Sequence, residues 1–202
     1  LVGTIKQEIE NVGKIIKKRG VIVNVLPSVA FIKVEGKNIE TYVTKDISDL
    51  ALSFGEEFTS KNISKLVIKS GRYNALVAQG HPLFDYQVIN VSELYQYPLL
   101  MLSEESMGKS YVIMKERSLK DGFYPNIART VDDFEESFFY ILSEQLIGFG
   151  TDDFNLSKLD GMIRSIPIEG SWHTYEIVLA YQKDSKNQTL IDFLTIFDNS
   201  LL

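Results

Sequence analysis

Apolar residues recur along the first part of the chain with the three- and four-residue spacing of a helix face. They are Ile5, Ile9, Val12, Ile15 and Ile16. Acidic residues come early in this segment and basic residues late, which is the charge order that the helix dipole favours. The pattern predicts a helix over 5–19 that stops near Gly20. The apolar run 21–25 either extends this helix or forms a strand.

Short apolar runs around this helix predict strands over 1–5, 29–34 and 46–52. The second run is closed by Glu35-Gly36-Lys37-Asn38, which is a turn signal. A short helix is predicted over 39–43, between the second and third strands. Strands that alternate with helices in this order predict parallel pairing with right-handed crossovers, and hence an α/β fold.

The centre of the chain carries two apolar runs that each end in a polar segment. The first belongs to a long strand or a hairpin over 65–78, and it ends in the turn Gly80-His81-Pro82-Leu83. The second predicts a strand over 98–102, and it ends in Ser103-Glu104-Glu105-Ser106, which is a polar helix start. The prolines in these segments mark strand edges or entries, because proline cannot donate to a strand ladder.

The second half predicts helices between short strands. One helix covers 108–119, a strand covers 125–128, and Thr130 with Asp133 three residues later has the capping-box pattern of another helix start. The buried face of that helix is predicted to consist of Phe134, Phe138, Ile141, Leu142 and Gln145. Beyond the glycine-rich segment 147–151, we predict strands over 163–168 and 175–181. A turn with Ser185 as the cap then leads to a largely buried helix over 189–197.

The composition is that of a globular protein, and it excludes some chemistry. Of the 202 residues, 45% are hydrophobic and 24% are charged. There is no cysteine, which excludes disulfides, thiolate metal sites and a cysteine nucleophile. No apolar run approaches the roughly 20 residues that span a bilayer, and the chain starts without a basic, apolar leader. We therefore expect a cytoplasmic protein that does not bind membranes.

The formal charge of −6 restricts the partners. With 27 acidic residues against 21 basic ones, the chain lacks the basic surface that grips phosphate backbones. Its one basic cluster, 14–19, is explained as the end of the first helix. The 202-residue chain is not expected to bind DNA by itself.

No motif indicates catalysis, a metal or a cofactor. The dinucleotide, P-loop and nucleophile-elbow patterns are all missing. His81 and His173 are isolated, whereas zinc needs three or four clustered ligands. Asp132-Asp133 and Asp152-Asp153 are interpreted as helix caps or turns. We therefore expect no catalytic residue, no metal and no cofactor.

The order of these features resembles the effector-binding domain of LysR-type transcriptional regulators. The similarity lies in Gly3 at the end of the first strand, Pro27, the 35–38 turn, Asp49 followed by aliphatic residues, and the central strand, His-Pro-Leu turn and polar helix start. Gly20 departs from the family, which usually keeps a helix at this point. The resemblance extends over essentially all of the chain.

This resemblance implies a fold and a function. The fold would consist of two Rossmann-like lobes of the type II periplasmic-binding-protein architecture, joined by two crossover strands. Residues 1–80 and 172–202 would form the first lobe (RD-I), and 81–171 the second (RD-II). The domain would not be an enzyme. It would sense a small metabolite between the lobes and control DNA binding by an amino-terminal helix-turn-helix outside these residues, as a homodimer that becomes a tetramer at full length.

Candidate ligand contacts follow from geometry and from the resemblance. Ligands of open parallel sheets bind at the carboxyl ends of strands, near helix N-termini. By resemblance, Thr4, Gln7, Asn38 and Ser103 would hydrogen-bond the effector, and Phe149 and Gly150 would close over it. Lys6 and Lys37, which lie near predicted helix starts, indicate an anionic effector. The full candidate set is Thr4, Lys6, Gln7, Lys37, Asn38, Ser103, Phe149, Gly150 and Thr151.

Two other functions remain open at this point. The first is a solute-binding receptor of a transport system with the same fold, for which a secretory leader upstream would be decisive. The second is an α/β enzyme, which would require titratable side chains that converge in a cleft.

Overall fold

The computed structural model describes residues 38–159, 161–170 and 173–200. The strands predicted over 1–5 and 29–34, the helix over 5–19 and the run 21–25 lie outside the described residues. The same holds for four candidate contacts, namely Thr4, Lys6, Gln7 and Lys37.

Strand β2 (Ile63–Ala78) is the longest element and connects two groups of strands. Its first part pairs antiparallel with β8 (Thr174–Gln182). Its last residues pair antiparallel with β6 (Gly148–Thr151) on one edge and β7 (Ile163–Glu169) on the other. The segment is therefore one continuous strand and not a hairpin.

Within the described residues, the first group of strands consists of β8, the first part of β2 and one further strand. Strand β1 (Ala51–Phe54) pairs antiparallel with β8, and helix α1 (Ile39–Thr44) precedes it. The strand predicted over 46–52 starts later than expected, because Asp46 adopts a φ of 54° in a turn. The short helix is confirmed. Parallel pairing among the three predicted amino-terminal strands stays a prediction, because two of them lie outside the described residues.

The second group contains two parallel pairs. Strand β3 (Ile89–Asn90) pairs parallel with β7, and helix α2 (Val91–Leu94) follows it. Strand β4 (Leu99–Leu102) pairs parallel with β5 (Ile127–Val131) in a second sheet. Helices α3 (Glu104–Met107) and α4 (Lys109–Lys120) connect these two strands. Helix α5 (Phe134–Glu144) precedes β6, and α6 (Gln188–Ser200) follows β8.

The core explains why the central apolar run has no polar face. Along β2, Ala75 and Val77 pack into one apolar cluster, whereas Leu76 and Ala78 pack into another on the opposite face. Strand β8 is likewise buried on both faces, and α6 covers one of them through its phenylalanines. Successive strand residues point to opposite faces, so a strand that is buried on both sides is apolar throughout.

The structure corrects two predicted helix caps. Thr130 lies within β5, and Asp133 caps α5 by accepting a hydrogen bond from the Glu135 amide at 2.7 Å. Asn187, and not Ser185, accepts from the first amides of α6. In both cases the residue next to the first helical turn supplies the oxygen, because a cap must lie within reach of the unpaired amides.

Candidate functional site

A cavity of about 550 Å³ is lined by side chains of β1 and β8 together with residues of β4, β6 and helices α3, α4 and α5. Phe54 of β1 and Ile177 of β8 contribute from one side, and Tyr73 of β2 lies between the two groups of strands. The volume falls within the range of about 300–1,000 Å³ that is typical of small-molecule pockets. The other lining residues are Leu100, Met101, Leu102, Met107, Met114, Phe134, Ser137, Gly148, Phe149, Gly150, Thr151 and Phe154.

Strand β6 forms part of the cavity wall, and two of its four residues are glycines. A Cβ atom at Gly148 would lie 2.6 Å from Cδ1 of Ile141, and one at Gly150 would lie 3.2 Å from Cδ2 of Leu76. The glycines thus let β6 pack tightly against the core. Phe149 points to the other face of the strand, where its ring lies 5.5 Å from that of His173.

The candidate residues at β6 line the cavity, but two others do not. Phe149, Gly150 and Thr151 belong to its wall. Asn38 stands at the N-cap of α1 without a side-chain capping bond. Ser103 caps α3, where its hydroxyl accepts from the Ser106 amide at 3.3 Å and donates to Oδ1 of Asp132 at 2.5 Å. The proposed roles of all these residues in effector binding stay predictions.

Sequence reasoning missed most of the cavity wall. Three of the four methionines of the chain line it, namely Met101, Met107 and Met114. The seven-residue spacing of the last two carried no usable signal, because Met107 ends α3 whereas Met114 lies in α4, beyond Gly108 with its φ of 72°. Phe54 and Ile177 carried no signal either, because each looked like an ordinary core residue of its strand.

A polar contact joins the segment after β1 to the start of α4. Glu57 is only 2% exposed, and its carboxylate accepts from the backbone amides of Lys109 and Ser110 at 2.8 Å each and from the Ser110 hydroxyl. Lys109 in turn forms an ion pair with Glu40 of α1. Burial alone would raise the pKa of Glu40, but hydrogen bonds from Lys109 and two backbone amides outweigh it and lower the pKa.

A second cavity, of about 630 Å³, differs in chemistry. Its wall includes Lys65, Arg72 and Arg117 together with Glu56 and Glu176. Nη2 of Arg117 lies 2.6 Å from Oε1 of Glu56. Burial raises the pKa of that glutamate in spite of its partner. Charged side chains are thus concentrated in this second cavity.

Both histidines are buried, and each makes a hydrogen bond within the fold. His173 is 7% exposed, its Nε2 lies 2.9 Å from the Tyr95 hydroxyl, and burial lowers its pKa to about 4. His81 accepts from the Leu83 amide within the predicted turn, and burial lowers its pKa as well. In the described ranges, no three histidine or acidic side chains cluster in a way that would hold a metal ion. No helix within those ranges is both long and apolar enough to cross a membrane.

Comparison with known proteins gives a family and a fold. The sequence model of the LysR substrate binding domain matches residues 27–197. Among curated proteins, no sequence matches the chain significantly.

Similar solved structures include the effector-binding domain of QuiR in complex with shikimate. It is 17% identical, the match covers 98% of this chain and 90% of that one, and the TM-score is 0.76. The Synechocystis PCC6803 CcmR regulatory domain in complex with 2-PG is 13% identical over 98% of this chain and 93% of that chain, with a TM-score of 0.72. Full-length CbnR complexed with its target DNA is 14% identical with a TM-score of 0.70. That match covers 86% of this chain and 60% of CbnR.

Proposed function

Because the chain belongs to the LysR substrate binding domain family, we propose that it is the ligand-sensing domain of a LysR-type transcriptional regulator and binds its effector in the cavity of about 550 Å³. The fold is α/β, of the type II periplasmic-binding-protein class that this family shares. The family consists of regulatory ligand-binding domains and not of enzymes. A transport receptor is therefore not favoured.

One observation carries the proposal, namely that the cavity wall comes from both groups of strands. Phe54 and Ile177 belong to the proposed first lobe, 1–80 with 172–202, whereas Phe149 and Met114 belong to the proposed second lobe, 81–171. A ligand that touches both lobes favours one lobe arrangement over the other. Moving such an equilibrium from 1:99 to 99:1 takes a preference of about 5.5 kcal/mol.

In the whole protein, this change would act on DNA through a helix-turn-helix outside the 202 residues. The proposed assembly is a cytoplasmic homodimer, which would become a tetramer at full length. The similar protein CbnR is a LysR family regulator that has been solved on its target DNA, which supports a role in DNA binding at full length. A coding region upstream of Leu1 that encodes a basic helix-turn-helix is expected, and a secretory leader there would contradict it.

The effector itself is proposed to be a small metabolite. Two similar domains have been solved with small molecules bound, namely QuiR with shikimate and CcmR with 2-PG. The expectation of an anionic effector depends on Lys6 and Lys37, which lie outside the described residues, and it stays a prediction.

The test is a thermal-shift screen of the 202-residue chain against pools of metabolites. A ligand at 100 times its Kd is expected to stabilise the fold by about 2.7 kcal/mol. Phe149→Leu should weaken this effect, whereas Phe139→Leu should not, because Phe139 is 65% exposed and lies outside the cavity. Equal stabilisation of both variants would place the ligand elsewhere. No stabilisation by any pool would count against the sensor function.

A further inference from the structure

No charged side chain contributes to the wall of the 550 Å³ cavity among the residues that the structure describes. Three of the described lining side chains carry a hydroxyl, and two of these hydroxyls are already engaged. The Ser137 hydroxyl donates to the Phe134 carbonyl. The Thr151 side chain is hydrogen-bonded to Asp153. The hydrogen bond from Lys69 is the main cause that lowers the pKa of Asp153, and the bond to Thr151 lowers it further. Tyr73 carries the third. The described part of the wall therefore offers a ligand an almost wholly apolar surface.

The neighbouring cavity does not share this apolar lining. The neighbouring 630 Å³ cavity uses other residues of the same strands and holds two arginines, a lysine and two glutamates. Along β2, Arg72 faces that second cavity, whereas the next residue, Tyr73, faces the apolar one. Neighbouring residues of one strand thus contribute to cavities of different chemistry. Among the described residues, ionic partners for a ligand line the second cavity and not the first.

The apolar side chains also indicate the shape of the ligand. Four of the described wall residues are phenylalanines, namely Phe54, Phe134, Phe149 and Phe154, and aromatic side chains pack favourably against a further ring in stacked or edge-to-face arrangements. The three methionines are unbranched and polarizable, so they can repack around an irregular apolar group. An unpartnered charge or hydroxyl in these surroundings would lose its hydration without compensation.

On the basis of the proposed function, we propose that the effector has an apolar, ring-sized body that is buried in this cavity. Any carboxylate of the effector then projects out of the described wall. The class is therefore a cyclic or aromatic compound with few polar substituents on its ring, and not a polyhydroxylated acid.

Two small molecules that differ only in ring hydroxyls test this inference. Cyclohexenecarboxylate and shikimate share a ring and a carboxylate, and only shikimate carries hydroxyls. Each is used to displace the neutral fluorescent probe N-phenylnaphthylamine from the 202-residue chain. We expect the probe to bind, and cyclohexenecarboxylate to compete at least about tenfold more tightly than shikimate, because hydroxyls without partners are costly to bury.

Matched methionine variants locate the probe. Met114→Gln and Met107→Gln each place an amide in the cavity wall and should weaken probe binding about fivefold to tenfold. Met162→Gln is the control, because Met162 is 44% exposed and lies outside the cavity, and it should leave binding within about twofold. Using two cavity variants keeps the test valid if one of them fails to fold.

The outcomes separate this inference from the sensor function. If the probe does not bind, if it binds all variants equally, or if shikimate competes as well as the unsubstituted ring, the inference is wrong. A chain that is stabilised by a polyhydroxylated metabolite in the thermal-shift screen would refute the apolar class and leave the sensor function standing. A chain that takes up the probe in the cavity but responds to no metabolite would keep the apolar site and count against the sensor function.

Discussion

Replacing Glu57 with glutamine tests the contact that holds the start of α4. Helix α4 begins after Gly108, which supplies no side-chain capping bond. The first turn of a helix has amides without intrahelical partners. Glu57 satisfies two of them, at Lys109 and Ser110, with 2.8 Å hydrogen bonds, and it also accepts from the Ser110 hydroxyl. An acceptor 52 residues away in sequence thus replaces a local cap.

The expected loss follows from the number of bonds and from the burial. Glutamine keeps one oxygen for Ser110 but turns an NH₂ group towards the Lys109 amide, so one bond is lost and the others lose their charge. A hydrogen bond to a charged group contributes about 1.5–3 kcal/mol, and a buried unpaired donor costs about 1–3 kcal/mol. Because Glu57 is only 2% exposed, solvent cannot replace the missing partner. We expect Glu57→Gln to lower the free energy of unfolding by about 2–3 kcal/mol.

Urea unfolding at neutral pH measures this loss. The midpoint should fall at an unchanged slope, which would indicate a change in stability and not in the unfolded state. Glu116→Gln is the matched control, because Glu116 is exposed on the same helix and should change stability by less than about 0.5 kcal/mol. Amide exchange at Lys109 and Ser110 should accelerate in the Glu57 variant alone. A loss below about 0.5 kcal/mol in Glu57→Gln would refute the reasoning.

Three further predictions concern packing, pH and salt. Gly148→Ala should cost about 1–3 kcal/mol through overlap with Cδ1 of Ile141, and Ile141→Val should restore part of this loss in a double-mutant cycle; additive losses would contradict the overlap. His173 has a pKa of about 4 when folded against an ordinary value of 6.5, so the unfolded chain binds the extra proton between these values and stability falls as the pH drops. From about pH 7 to about pH 5 the loss should be about 2 kcal/mol in urea unfolding, and His173→Phe should remove it; an unchanged pH dependence would refute this. Lys109→Met should cost about 1 kcal/mol or less at low salt, and less at about 1 M salt, because its ion pair with Glu40 is partly exposed; a loss that is independent of salt would contradict this.

The elements with a clear period could be predicted from the sequence. The helices at 39–44, 109–120 and 188–200 and the strands at 163–169 and 174–182 lie close to their expected positions. The segment 65–78 remained undecided between one long strand and a hairpin, because the local sequence does not show which strands its two parts pair with. In the structure, the first part pairs with β8 and the last part with β6 and β7, so the segment is one continuous strand.

The candidate site was predicted less completely. The candidate contacts Phe149, Gly150 and Thr151 came from the glycine-rich segment and lie in the cavity wall, and their role in effector binding stays a prediction. Ser103 was correctly expected at a helix start, but its hydroxyl is bound to Asp132, which is distant in sequence. The cap predicted at Thr130 was wrong because β5 extends through that residue.

The family, the α/β class and the lack of cysteine chemistry could all be recognised in the linear order of residues. These properties depend on composition and on local order, which a chain carries in any conformation. The set of side chains that share a cavity, and the carboxylate that caps α4, became known only from the packed fold. Phe54, Met114 and Ile177 meet because three separate elements pack together, and Glu57 reaches α4 across 52 residues. Contacts of this kind are set by strand pairing and core packing, so no short-range pattern encodes them.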